Sequence, residues 1–253
     1  MVHARHRGPL RVQKALYPEG EAVCHTILLH PPAGIVGGDS LSFDIDVGEA
    51  AHVLFTTPGA GKWYRSDGRV ASVSQRVRVA RAAVCEWLPQ ESIVFDGAIG
   101  VLDNQIALES GATLIAADML CLGRTGSGER FSSGRLTLRN RITLEGRTLW
   151  LERGRLEGGG ELLDSPVGLA GQPVTATMLV HGMGVDDALR DACREIGCEA
   201  GESGVTLLPN GLLVARWLGP ASEPGRIWMK RTWALARPAV TGRKSDEPRI
   251  WRT

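Results

Sequence analysis

The chain has 253 residues, 43% of them hydrophobic, and a formal net charge of +1. That length can bury a core without disulfide or metal support, and the near-neutral balance argues against a nucleic-acid binder or an acidic solvating tail. The opening MVHARHRGPL is basic without an apolar centre and reads as neither signal peptide nor anchor.

No apolar run approaches the ~20 residues a bilayer span needs, so no membrane association is expected. Five cysteines, an odd number with no CxxC pair, predict reduced and mostly buried thiols and a cytoplasmic setting.

In chain order, LLHPPAGIVGGDSLSFDIDVG (Leu28 to Gly48) sets prolines and glycines before a clean alternation. Leu41, Phe43, Ile45 and Val47 alternate with Ser42, Asp44 and Asp46, the two-residue period of a strand with one wet face. Val73, Gln75, Val77 and Val79 do the same against Ser72, Ser74, Arg76 and Arg78. Leu136, Leu138, Ile142 and Leu144 share a phase, Glu145-Gly146 makes a turn, and Leu149 and Leu151 return. Val185, Ala188, Leu189, Ala192, Cys193 and Ile196 form one stripe of a helix that Gly197 stops. Leu207 to Leu218 reads as a hairpin in which Asn210-Gly211 supply positive φ angles. Finally Gly225–Pro238 reads as a helix whose Ile227, Trp228, Met229, Trp233 and Leu235 cover more than half its circumference, so it must be covered on more than one side.

Strands recur about every 10–12 residues. The pattern predicts a mainly β, mostly antiparallel body with two α-helices. No linker or strict repeat divides it, so residues 1–253 form one domain.

The chemical motifs exclude more than they assign. AGIVGGD (Ala33–Asp39) is not GxGxxG and precedes a strand, so it lacks the helix N-terminus that holds a pyrophosphate. Gly61-Lys62 invites a Walker A reading, but Thr56 stands where glycine is needed and Trp63 where the Mg²⁺-binding hydroxyl is needed. The histidines form no HxH or HExxH pattern; His3 and His6 could hold metal adventitiously or be an exposed tail. No GxSxG nucleophile is present.

CEWLPQESIVFDGA (Cys85–Ala98) sets Glu86, Glu91 and Asp96 in an apolar segment. Three readings stay open: general acid–base work, a weak polar passage for a cation, or turn acids capping backbone amides.

LYPEG, the Cys24–Ser66 stretch, EWLPQESIVFDGA and DMLCLGRTGSGERFSSG together resemble the UreD (UreH) family of urease accessory proteins, from about Gly8 to the end. The resemblance implies a non-catalytic cytoplasmic chaperone with a helical, layered, antiparallel or mixed β fold and two α-helices. Its glycine stretch would be a corner between strands. Its partners would be the urease apoprotein, UreF and the GTPase UreG, which together insert nickel into urease. The failed Walker A agrees with GTP hydrolysis belonging to the partner.

Nickel would pass through in transit, with no tightly bound cofactor; Asp39, Glu86, Glu91, Asp96 and Asp118 are the candidate lining. Trp228 and Trp233 are candidate interface residues, with core burial as the alternative. Family members begin with a further strand before Gly8-Pro9-Leu10, so the N-terminus is expected to be short relative to them. The competing class is a β-helix carbohydrate-active enzyme using Glu86 and Asp96.

Overall fold

The computed structural model describes residues 4–32 and 34–252. After a short strand, β1 (Arg11–Val12), the chain winds in rungs. The first rung is β2 (Cys24–Leu29), β3 (Gly34–Ile35) and β4 (Ser40–Val47); the second is β5 (His52–Thr56), β6 (Gly61–Trp63) and β7 (Ala71–Val79). The third is β8 (Val84–Trp87), β9 (Ser92–Val94) and β10 (Ile99–Leu108). β11 (Thr113–Leu122) and β12 (Arg135–Leu144) complete the stack.

Equivalent strands pair in parallel: β4, β7, β10 and β12 in one sheet, β2, β5, β8 and β11 in the other, with β3, β6 and β9 along its side. β13 (Arg147–Glu157) then turns back on β12. β14 (Val174–His181) turns back on β11, and β16 (Leu213–Gly219) and β15 (Glu202–Leu207) extend that sheet, all antiparallel.

The sheets are therefore mixed, and the expected antiparallel majority is corrected: among the described residues nine ladders are parallel and five antiparallel. Alternation is identical in both kinds of ladder, so it could not separate them. The rungs also explain why no strict repeat is legible. Ser40 pairs with Ser72, Ser72 with Val101 and Val101 with Thr137, advances of 32, 29 and 36 residues.

Register stacks like on like. Leu41, Val73, Leu102 and Leu138 form one inward column and Ile45, Val77, Ile106 and Ile142 another. They meet Val53, Phe55, Cys85, Trp87 and Leu114 of the facing sheet to make the core between the sheets. Between the rungs the backbone comes close. A Cβ on Gly134, whose φ is +94°, would lie 2.3 Å from the Ala98 carbonyl oxygen. Gly134→Ala is expected to cost at least about 2 kcal/mol, because strain and overlap add. Urea unfolding checks this; an unchanged midpoint would show that the rungs can part.

Glu145 and Gly146 have φ of 49° and 74°, the paired left-handed residues of the predicted β12–β13 turn. Beyond it the expected phase fails. Thr143 pairs with Thr148 but Ile142 with Trp150, so Leu149 is an extra, bulged residue. Leu149 is buried, Leu151 is 53% exposed, and Glu152 takes the inward phase instead. In the second hairpin only Gly211 of the Asn210-Gly211 pair has positive φ, and residues 208–212 form a wider loop. There the Asn210 side chain reaches across to donate to the Leu149 carbonyl at 2.8 Å.

Among the described residues there are three α-helices, one more than the two expected. α1 (Glu161–Asp164) is a single turn that the sequence pattern did not announce. α2 (Asp187–Arg194) is capped by Asp186, which accepts from the Leu189 amide at 2.8 Å; Leu189 and Cys193 are its buried residues, while Ala188 and Ala192 are exposed. α3 (Ser222–Thr241) runs past Pro238, which stands inside the last turn.

α3 packs across β11, β14 and β16. The tail folds back over a second side: Trp251 stacks edge-on to Trp233 at 5.5 Å and donates to Thr56, and Lys230 pairs with Glu247 at 2.9 Å. That is the two-sided cover its composition demanded. Among the described residues no helix is long and apolar enough to cross a membrane.

Candidate functional site

The two sheets enclose a cavity of about 560 Å³. Its walls include the inward aliphatic columns and several polar side chains, Lys62, Gln90 and Arg153 among them, and one polar register crosses it. Phe43, Gln75, Asn104 and Asn140 stack on successive rungs, and Asn140 pairs across to Glu152. Opposite them, Asp118, Thr177 and Arg216 are register partners on β11, β14 and β16. All but Phe43 are polar, and all of them line the cavity.

The polar side chains form a connected chain. Asn104 Nδ2 donates to Asn140 Oδ1 at 2.8 Å, Asn140 Nδ2 donates to Glu152 Oε2 at 3.0 Å, and Arg216 Nη2 donates to Glu152 Oε1. Among the described residues, Asn104 Oδ1 is buried without a hydrogen-bond partner. Burial lifts the Asp118 carboxyl to about 6; the nearby Glu152 charge adds to this, and the Met119 amide opposes it. A low-dielectric chamber thus holds two carboxylates and a spare amide oxygen, hard oxygen donors of the kind divalent cations accept. Among the described residues no three His, Cys, Asp or Glu side chains converge as a metal cluster.

The five carboxylates expected to line a passage are not brought together, and only Asp118 lines this cavity. Period two explains Glu86. On β8, Cys85 and Trp87 face the interior, so Glu86 faces α3, where it is fully buried. There it accepts from Trp233 Nε1 at 2.8 Å and from Arg237 Nε at 3.0 and 3.1 Å, and it lies 2.7 Å from His52 Nε2.

Glu91 sits at a separate small void beneath α3, 3.8 Å from Arg226. Asp39 closes the glycine turn by accepting from the Val36 amide at 3.0 Å. Asp96 staples a loop. It accepts from the amides and hydroxyls of Ser132 and Ser133 at 2.8–3.0 Å and pairs with Arg65 at 2.7 Å. Burial pushes its carboxyl up, but these bonds outweigh that and hold it low. Glu86 and Asp96 therefore cannot act as a carbohydrate-cleaving pair: one is sealed beneath a helix and the other is occupied as a staple.

Trp228 and Trp233 are 1% and 2% exposed, in the core under α3. Their expected interface role is corrected, because the sheet and the tail together cover the helix faces that carry them. His3 lies outside the described residues, and His6 is exposed.

Glu152, Arg216, Asn104 and Asn140 were not picked out from the sequence. One signal was available: Gln75 stands at an apolar phase position of β7, which marks the polar register. Glu152 was hidden by the Leu149 bulge, since counting by twos from Leu149 points it outward.

The family described as "UreD urease accessory protein" matches residues 1–252. A urease accessory protein UreD of Azoarcus sp. (strain BH72) is 61% identical over 249 residues, covering 98% of this chain and 87% of that protein. One from Dechloromonas aromatica (strain RCB) is 49% identical over 253 residues, covering 98% and 88%. One from Pseudomonas aeruginosa PAO1 is 50% identical over 252 residues, covering 100% and 89%.

Proposed function

We propose that this chain, which belongs to the UreD family of urease accessory proteins and so acts in urease maturation, is a non-catalytic scaffold through whose interior nickel reaches urease. It binds the urease apoprotein together with a UreF-like protein and a UreG-like GTPase, in the cytoplasm, and nickel insertion is driven by the partner's GTP hydrolysis. The observation that supports this reading is the polar register inside the cavity.

A sealed apolar core would not carry Asp118, Glu152, Asn104 and Asn140 on its inner walls, because each costs desolvation free energy. Two carboxylates that, among the described residues, no imidazole or thiolate joins in a converging cluster suit a cation that must be released again. The cation is cargo here, and the chain's own part is to offer charge in the cavity between its sheets.

A tagged copy co-expressed with the urease subunits and both accessory proteins is expected to elute with the apoprotein and the UreF-like protein in one complex on a sizing column. A chain that elutes alone from every such mixture would overturn the scaffold reading.

A further inference from the structure

β13 ends one sheet and β16 lies near the end of the other, and the two strands share no ladder. The Glu152–Arg216 ion pair bridges that gap at the cavity wall. Its side chains are 28% and 51% exposed, so the pair stands between the cavity and solvent. The Arg216 guanidinium also lies 5.6 Å from the Trp150 ring centroid, which gives it a second seat on β13. On its own strand row, Arg216 is aligned through Thr177 with Asp118. One of the cavity's two carboxylates therefore pairs with this guanidinium and the other shares its strand row, two strands away, and that guanidinium cannot be neutralised by deprotonation.

We propose that Arg216 is a resident counter-ion and latch: it fills the cation position beside Glu152 at the slot between β13 and β16, and a divalent cation passes only when the guanidinium swings away. This rests on the passage reading above. A half-exposed pair is worth little in net free energy, so it can be displaced. A doubly charged ion has the larger Coulomb attraction to two carboxylates, so it can do the displacing. A permanently bound ion would need no such latch, whereas a passage that must not leak small cations does.

The test is calorimetric titration of the full chain with nickel(II) chloride. Arg216→Gln is expected to bind nickel about tenfold more tightly than wild type, and adding Glu152→Gln should remove the gain. Arg216→Ala repeats the measurement with a shorter side chain, so a folding failure in one variant leaves the other to decide. If both charge-removing variants bind as wild type does, the latch is wrong and the passage survives. If neither wild type nor either variant binds nickel at all, the passage fails and the latch falls with it.

Discussion

Replacing Arg237 by methionine is expected to lower the unfolding free energy by about 3–5 kcal/mol, the range for removing one partner of a buried ion pair. Arg237 is fully buried on α3 and holds two carboxylates. Its Nε donates to both oxygens of Glu86, and its Nη atoms donate to Glu19 at 2.8 and 2.9 Å and to the Lys244 carbonyl. Glu19 also lies 2.7 Å from His25. One side chain thus ties the N-terminal segment, β8 and the C-terminal tail to one helix.

Without it, Glu86 stays buried beneath α3, and Glu86 and Glu19 lose their shared cation. In a chain of this size, ~1 kcal/mol moves the melting temperature by roughly 2–4 °C, so a fall on the order of 10 °C should be seen by calorimetry. Arg237→Lys should not rescue it, because a point charge cannot serve both carboxylates at once. The loss should be smaller in a Glu19→Gln, Glu86→Gln background, where less charge is stranded. A single variant melting within 2 °C of wild type, about the shift of one weak surface pair, would show that the network does not pin α3.

The pH dependence has a definite sign. Burial pushes the Glu19 carboxyl up, but hydrogen bonds from Arg237 and His25 outweigh this and hold it below its ordinary value. A carboxyl lowered in the folded state contributes stability that is complete above the unfolded value and is lost as pH falls through the folded one. The gap between wild type and Arg237→Met should therefore narrow below about pH 4.

The largest functional effect is expected from the cavity carboxylates. Asp118→Asn and Glu152→Gln should each lower urease activation roughly tenfold or more, and the double variant should nearly abolish it. Soluble yield and melting temperature should hold. Both changes are near-isosteric, and Asp118→Asn removes a carboxyl that burial already disfavours in its charged form. Activation is best read as urease activity after co-expression at limiting nickel. Full activation in the double variant would sink the passage, whereas lost activation with lost solubility would place both residues in folding instead. Glu86→Gln makes the useful contrast, because its effect should follow stability alone.

Much of this protein is a local property and stood in the sequence. Val73, Gln75, Val77 and Val79 marked a strand. Glu145-Gly146 marked a turn, and the stripes around Leu189 and Trp233 marked two helices. The long motifs around Gly37-Gly38 and Trp87 placed the chain in its family.

The tertiary structure alone decided how these pieces meet. Parallel and antiparallel strands alternate alike, so the rungs were invisible to periodicity. One bulged residue, Leu149, reversed the phase of β13 and put Glu152 where Leu151 was expected. Glu86 and Asp118 are both acids in apolar strands, and only the winding of β8 and β11 sent one beneath α3 and the other into the cavity. Spacing sets which side of its own strand a residue takes; register between strands distant in sequence sets what that side touches.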